Sequence, residues 1–204
     1  MISIINYGVG NVGAISNMLT FLRIPNKITS DESEIIASSG IILPGVGSFD
    51  NAMTQLNSQA SLIKSIKIFA EESKRPVLGI CLGMQIMARV SEEGIIPGLG
   101  WINAQVCKFS SSKNVKVPNM GWRDVKIEKN DLLFSGLPIS SKFYFSHSYY
   151  MTVNQNYSIM SSQNGGEFSA AFRSENIYGV QFHPEKSHSY GMKILSNFAR
   201  ISNG

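Results

Sequence analysis

Short apolar runs, each closed by a glycine-containing turn and followed by a stretch of helical period, recur through the first half of the chain. Ile2–Asn6 reads as a buried strand, residues 8–11 as a turn, and Val12–Leu22 as a helix that Pro25 brings to an end. Asn26–Thr29 and Ile41–Leu43 read as the next two strands, the latter cut short by Pro44-Gly45-Val46-Gly47. Phe49–Glu72 is mostly helical in period, Val77–Ile80 is a fourth strand, and a helix running toward Val90 follows Cys81. Alternation of this kind predicts an α/β fold: a flavodoxin-like, doubly wound and mostly parallel sheet with helices on both faces. Ligands of such sheets gather beyond the carboxyl ends of the strands, so the turns at 8–11, 44–47 and 79–83 are expected to converge.

The second half changes character. Gln105–Phe109, Arg123–Ile127, Phe143–Phe145 and Ser169–Phe172 are short β-type segments separated by polar loops, one of them at residues 110–114. They predict an additional antiparallel β part folded onto the same body. Tyr178–Phe182 is a further strand, and Gly191–Ile201 a closing amphipathic helix with Ile194, Leu195, Phe198 and Ile201 on one face. With no repeat and no linker composition, residues 1–204 are expected to form a single domain.

Composition agrees with a packed globular chain: 43% hydrophobic and 16% charged residues. The net charge of +4 is scattered rather than clustered, which argues against a nucleic-acid surface. No run is long enough to cross a membrane, and the apolar start, Met1–Tyr7, is too short and lacks the basic leader of a signal peptide. Two cysteines, Cys81 and Cys107, make no disulfide framework, so a reducing, cytoplasmic setting is expected.

Candidate chemistry centres on Gly79-Ile80-Cys81-Leu82-Gly83, between a strand and a helix. Glycines on both sides permit a sharp turn that presents the thiol at the end of the sheet, near a helix N-terminus that favours the thiolate. The competing possibility is a packed, inert cysteine. His183 ends an apolar strand; Pro184 keeps it out of helical geometry, and in extended backbone Glu185 lies on the same side, where its carboxylate would orient the imidazole. Nucleophile, base and orienter are thus available as a Cys-His-Glu triad, against the possibility of a loop histidine beside a solvated glutamate. The 44–47 turn offers backbone N–H groups for an oxyanion, together with that of Leu82. The Gly8-Val9-Gly10-Asn11-Val12-Gly13 spacing lacks the second half of a dinucleotide unit. Cys81, His147 and His183 lack the spacing of a zinc site. No metal and no cofactor are expected.

Residues 79–85 and 183–187 resemble the two signatures of class I, triad-type glutamine amidotransferases. The runs at 7–11, 43–49, 91–94, 117–122 and 143–149 are similar to the branch whose members are glutaminase subunits of imidazole glycerol phosphate synthases. This resemblance spans nearly the whole chain, in the family's order. It implies glutamine as substrate, Cys81 as nucleophile, His183 as base and Glu185 as its orienter. It further implies Leu82 with Gly45, Val46 and Gly47 as oxyanion donors, and Gln85, Ser148 and Tyr149 around the amino-acid end of glutamine. Asn11 and Lys186 are placed at the interface with a (β/α)8-barrel synthase subunit, which receives the ammonia in a heterodimer serving histidine biosynthesis.

The chain departs from that pattern at Asn6, where Asp is usual, at Asn119, where His is usual, and at Arg123, where Asn is frequent. Residues 98–101 lean toward a paralogous branch whose ammonia goes to acetamidino sugars of surface polysaccharides. The same residues could also serve a stand-alone cysteine hydrolase, or persist in a regulatory subunit that has lost turnover. Cys107 has no assigned role, and His147 either packs or hydrogen-bonds beside the glutamine site.

Overall fold

The computed structural model describes residues 1–204 except 112–114, so part of the polar loop at 110–114 lies outside the described residues. In chain order the elements are β1 (Ile2–Ile5), α1 (Val12–Phe21), β2 (Asn26–Thr29), α2 (Glu32–Ala37), β3 (Gly40–Leu43), α3 (Phe49–Asn57), α4 (Ala60–Lys67) and β4 (Val77–Ile80). There follow α5 (Leu82–Gln85), β5 (Val90–Ser91), β6 (Gln105–Lys108), β7 (Asn119–Ile127), β8 (Lys142–His147) and β9 (Tyr149–Thr152). The chain closes with β10 (Ser158–Gln163), β11 (Glu167–Ser174), β12 (Ile177–Val180) and α6 (His188–Ser202).

A nine-stranded sheet in the order β2-β1-β3-β4-β12-β11-β10-β7-β8 dominates. Its first five strands are parallel, and from β12 onward each pairing is antiparallel. A smaller sheet, β5-β6-β9, sits apart from it. The fold class expected from the sequence is the one observed.

The apolar runs read as continuous because their strands are buried on both faces. Ile4, Ile42, Leu78 and Ile80 join one core with Ile15 and Leu19 of α1 and Ile194, Leu195 and Phe198 of α6. Their neighbours Ile5, Ile41, Leu43 and Val77 join a second core with Ile35 of α2, Phe49 and Met53 of α3, and Leu62 and Ile66 of α4. Helices therefore cover both faces, and the strand ends are left to the turns. Tyr7, fully buried after β1, donates its hydroxyl to the Pro44 carbonyl, while a side chain at Gly10 would strike Pro44 at 2.9 Å. A side chain at Gly45 would lie 2.4 Å from the Gly83 nitrogen. The three turns converge as expected.

Several boundaries differ from expectation. The helix after Cys81 is one turn long, because the backbone N–H groups of Leu99, Ile102 and Gly98 bond to Ile86, Met87 and Arg89, and Arg89 itself bonds to Ala104. Those cross-loop bonds replace the helical ones, and Val90 enters β5 instead. Phe49–Glu72 is two helices that break at Ser58 and Gln59, finishing in a π-helical turn at Ile68–Glu72. The helix α2 has no counterpart among the expected elements; Asp31 caps it by accepting from the Glu34 N–H. The strand read from Arg123 begins at Asn119, and β10 has no counterpart in the sequence pattern, since its run of serines hides it.

The bend at Cys81 depends on a glycine that has no room for a side chain. A Cβ at Gly83 would lie 1.9 Å from the Leu43 carbonyl oxygen. Gly83→Ala is expected to lower unfolding free energy by about 3 kcal/mol or more, read as a fall in the urea midpoint at unchanged slope. A loss below about 1 kcal/mol would mean that the turn yields and the contact is not a constraint.

Candidate active site

Cys81 follows β4 directly and has φ +54° and ψ −111°, a left-handed conformation that L-residues rarely hold. Its N–H is tied to the Val180 carbonyl of the neighbouring parallel strand at 2.8 Å. Gly79 sits so close to the returning chain that a Cβ would meet the Gly83 oxygen and Met84 nitrogen at 2.7 Å. Both glycines of the motif are therefore steric requirements of the turn, as the spacing predicts. The expected contribution of a helix dipole shrinks, because α5 has four residues.

His183 has φ −99° and ψ 99°, the extended geometry expected before Pro184. Glu185 is reached differently from the extended path read from the sequence. Pro184–Lys186 is a 3-10 turn, and this turn brings the Glu185 Oε1 to 2.8 Å from His183 Nδ1. Ser187 locks the turn: its hydroxyl donates to the His183 carbonyl at 2.7 Å and accepts from the Tyr144 N–H at 2.9 Å. The His183–Glu185 pair is almost wholly buried, with side chains 3% and 2% exposed. Glu185 Oε2 has no hydrogen-bond partner among the described residues, so the contact of this carboxylate with His183 is through Oε1 alone. Burial disfavours the His183 cation, but its hydrogen bonds with Cys81 and Glu185 outweigh that and push the imidazole up to about 10.

Cys81, His183, Leu82, Gln85, Ser148, Tyr149, Val46, Gly47 and Lys186 all face one cavity of about 420 Å³. Gly45 lies behind it, packed on Leu82 and Gly83, and Glu185 lies behind His183. Asn11 stands away from the cavity, exposed, where its side chain caps α1 by accepting from the Ala14 N–H. Cys107 is a free, half-buried thiol on β6.

Two functional candidates do not stand out in the sequence. Glu93 is the one carboxylate among the described residues that line the cavity, and its Oε2 accepts from the Phe49 N–H at the start of α3. Burial raises its carboxyl above the ordinary value, against the pull of that N–H and with the help of Asp50. Gln181, fully buried, donates through Nε2 toward Cys81 Sγ at 3.6 Å and accepts from Gln85 Nε2 at 2.9 Å. A signal for it exists: a glutamine two residues before His183 in an otherwise apolar strand shares the histidine's side. Gln85 spends the same nitrogen on the Tyr149 carbonyl at 2.9 Å.

No group of three or more His, Cys, Asp or Glu side chains is arranged to hold a metal ion among the described residues. No helix among them is long and apolar enough to cross a membrane.

The fold and this site are those of a class-I glutamine amidotransferase, and the chain belongs to the glutamine amidotransferase class-I family, whose pattern matches residues 3–201. Within that class its relatives carry a narrower name. It is 44% identical to the imidazole glycerol phosphate synthase subunit HisH of Bdellovibrio bacteriovorus, over 98% of this chain and 100% of that one. It is 46% identical to subunit HisH 2 of Methanococcus maripaludis, over 98% and 99%. A crystal structure of a glutamine amidotransferase shares the fold with a TM-score of 0.75 at 17% identity, over 99% of both chains.

His147 is a further buried titratable group of the site. Burial pulls its imidazole down to about 4, with the charges of His183 and Arg123 acting in the same direction and only the Tyr149 carbonyl opposing. The unfolded chain, at 6.5, takes up the proton first. The contribution of His147 to stability is therefore complete above pH 6.5 and drains as pH falls toward 4, by about 3 kcal/mol in all. His183 acts oppositely: its contribution is complete below pH 6.5 and is lost as pH rises through about 10. Denaturant unfolding between pH 7 and 4 is expected to show an acid limb that His147→Gln flattens; an equally steep limb in the variant would assign it to other groups.

Proposed function

We propose that this chain is the glutaminase of a two-subunit synthase: it hydrolyses L-glutamine through Cys81, His183 and Glu185 and delivers the ammonia to a (β/α)8-barrel subunit that forms imidazole glycerol phosphate in histidine biosynthesis. Kinship with HisH subunits supports the pathway. One observation carries the chemistry: the left-handed Cys81 and the His183–Glu185 pair face and flank the same cavity.

Glutamine enters with its side-chain amide toward Cys81. Glu93 is placed to hold the ammonium group, and the Gln85 amide oxygen, left over once its nitrogen is engaged, is a second acceptor. The wall at Ser148 and Tyr149 faces the carboxylate end. Cys81 Sγ, its proton transferred to His183, attacks the amide carbon, and negative charge builds on the oxygen. In this reading the Leu82 N–H and the 45–47 turn donate to that oxygen, supported by Leu82, Val46 and Gly47 lining the cavity beside Cys81. As the C–N bond breaks, the His183 imidazolium returns the proton to the nitrogen, so ammonia leaves and a glutamyl thioester remains. His183 then takes a proton from water, which attacks the thioester; glutamate leaves and the Cys81 thiol is restored. Glu185 orients His183 through Nδ1 and stabilises its cation in both halves.

The exposed Met120 and Trp122, with Lys186 at the cavity edge, suit a surface covered by the barrel subunit. Asn11 is the other interface residue in this reading. A second reading, the same glutaminase feeding sugar amidination, is favoured by one observation. The relative of Methanococcus maripaludis carries the numbered name HisH 2, and this chain is 46% identical to it against 44% to the unnumbered HisH of Bdellovibrio bacteriovorus.

Glutamate release, assayed with the co-encoded barrel subunit and its nucleotide ligand, tests both steps. Cys81→Ala is expected to lower kcat by about 10³-fold or more, and Glu185→Gln by about 10²-fold or more, with folding intact. Substantial turnover by Cys81→Ala would exclude the triad. Stimulation by the barrel without any dependence on the histidine-pathway nucleotide would move the ammonia to the second reading.

A further inference from the structure

Two of the positions at which this sequence departs from its resembled pattern touch each other and the wall of the glutamine cavity. Asn119 is fully buried on β7, opposite His147 on β8. Arg123 Nε donates to Asn119 Oδ1 at 2.8 Å, and the remaining guanidinium nitrogens reach the Met120 and Trp122 carbonyls. Asn119 Nδ2 lies 2.9 Å from His147 Nε2, and His147 Nδ1 lies 2.7 Å from the Tyr149 carbonyl.

The polarity of this chain of bonds is determined throughout. A guanidinium only donates, so Asn119 must turn its oxygen toward Arg123 and its nitrogen toward His147. His147 Nε2 must then accept. A carbonyl only accepts, so His147 Nδ1 must carry the proton. A flipped Asn119 would set two donors against each other at Arg123. The aromatic rings of Phe109, Phe145 and Phe168 enclose His147 at centroid distances of 5.4, 5.6 and 5.4 Å and offer no competing polar group. The Tyr149 carbonyl that receives the His147 proton is the one that holds Gln85 Nε2. Gln85 in turn holds Gln181, and Gln181 faces Cys81 Sγ.

We infer that Asn119, oriented by Arg123, is a positioning residue for glutamine: it fixes His147 as the Nδ1–H tautomer, and that tautomer holds the Tyr149 carbonyl and Gln85 in the geometry that receives the substrate. The inference deepens the glutaminase reading and rests on it. Neither Asn119 nor Arg123 touches the reacting atoms, and the effect falls on binding rather than on the chemical step. Replacing the amide nitrogen by a second carboxylate oxygen, at nearly constant volume, inverts the polarity. Nε2 then faces an acceptor, the neutral imidazole must move its proton there, and Nδ1 turns a lone pair on the Tyr149 carbonyl.

The test has two independent parts. Nitrogen-15 spectra of the imidazoles in the unmodified full chain are expected to show His147 neutral with its proton on Nδ1. Calorimetric titration with glutamine in a Cys81→Ala background is expected to show a Kd raised about tenfold by Asn119→Asp and less by Arg123→Met, the scale of one misdirected buried hydrogen bond. In the Cys81-containing protein, Asn119→Asp is expected to raise KM more than it lowers kcat. A proton on Nε2 of His147 in the unmodified chain would overturn the inference even if Asn119→Asp fails to fold. So would a folded Asn119→Asp that binds glutamine within twofold of its parent. A parent that binds no glutamine would instead overturn the glutaminase reading and the positioning role with it, while a parent that binds equally well with and without Asn119 contradicts the positioning role alone.

Discussion

The site depends on a close approach of backbone to backbone where β4 ends. Gly83 lies against the Leu43 carbonyl and Gly45 against the Gly83 nitrogen, each nearer than any side chain allows. The chain leaving β4 therefore has one path, and Cys81 takes the left-handed conformation that path imposes. The same approach binds the 44–47 turn to the nucleophile, so the groups that would stabilise an oxyanion and the sulfur that would create it are placed by one contact. Strain at Cys81 persists because parallel strands on either side, β3 and β12, fix both ends of β4 in the centre of the sheet.

Around that turn, buried polar groups are arranged in a single connected set. Glu185 holds His183, while Gln181, Gln85, the Tyr149 carbonyl, His147, Asn119 and Arg123 follow one another from Cys81 to the far side of the cavity wall. Unpaired, such groups would be costly to bury. Paired, they leave few competing arrangements, and each member sets the donor or acceptor state of the next. Two histidines a short way apart are driven in opposite directions by their surroundings: hydrogen bonds with Cys81 and Glu185 push the His183 imidazole up, and burial pulls that of His147 down. In the proposed mechanism one serves proton transfer and the other serves shape.

Much of this is legible in the sequence because it rests on local rules. Doubled apolar runs report strands buried on both faces, glycines on each side of Cys81 report the bend, and Pro184 reports the extended His183. What is illegible depends on contacts distant in sequence. The helix after Cys81 stops after one turn because residues 98–104 claim its backbone groups. The carboxylate at Glu93 joins the cavity through a bond to Phe49, 44 residues away. Glu185 reaches His183 by a turn rather than along a strand, so the spacing anticipates the pairing and not the path. Asn119 and Arg123 stand out in the sequence only as departures, and their meaning emerges once β7 and β8 are paired and His147 lies between them and Tyr149.

In the proposed mechanism Cys81, and not the other cysteine, is the nucleophile toward glutamine. The most direct measurement of this is mass spectrometry of the full chain after brief exposure to a diazoketone analogue of glutamine, with and without competing glutamine. One adduct is predicted, on Cys81, suppressed by glutamine, with Cys107 untouched. An unmodified Cys81, or equal labelling of both thiols that glutamine does not prevent, would contradict it.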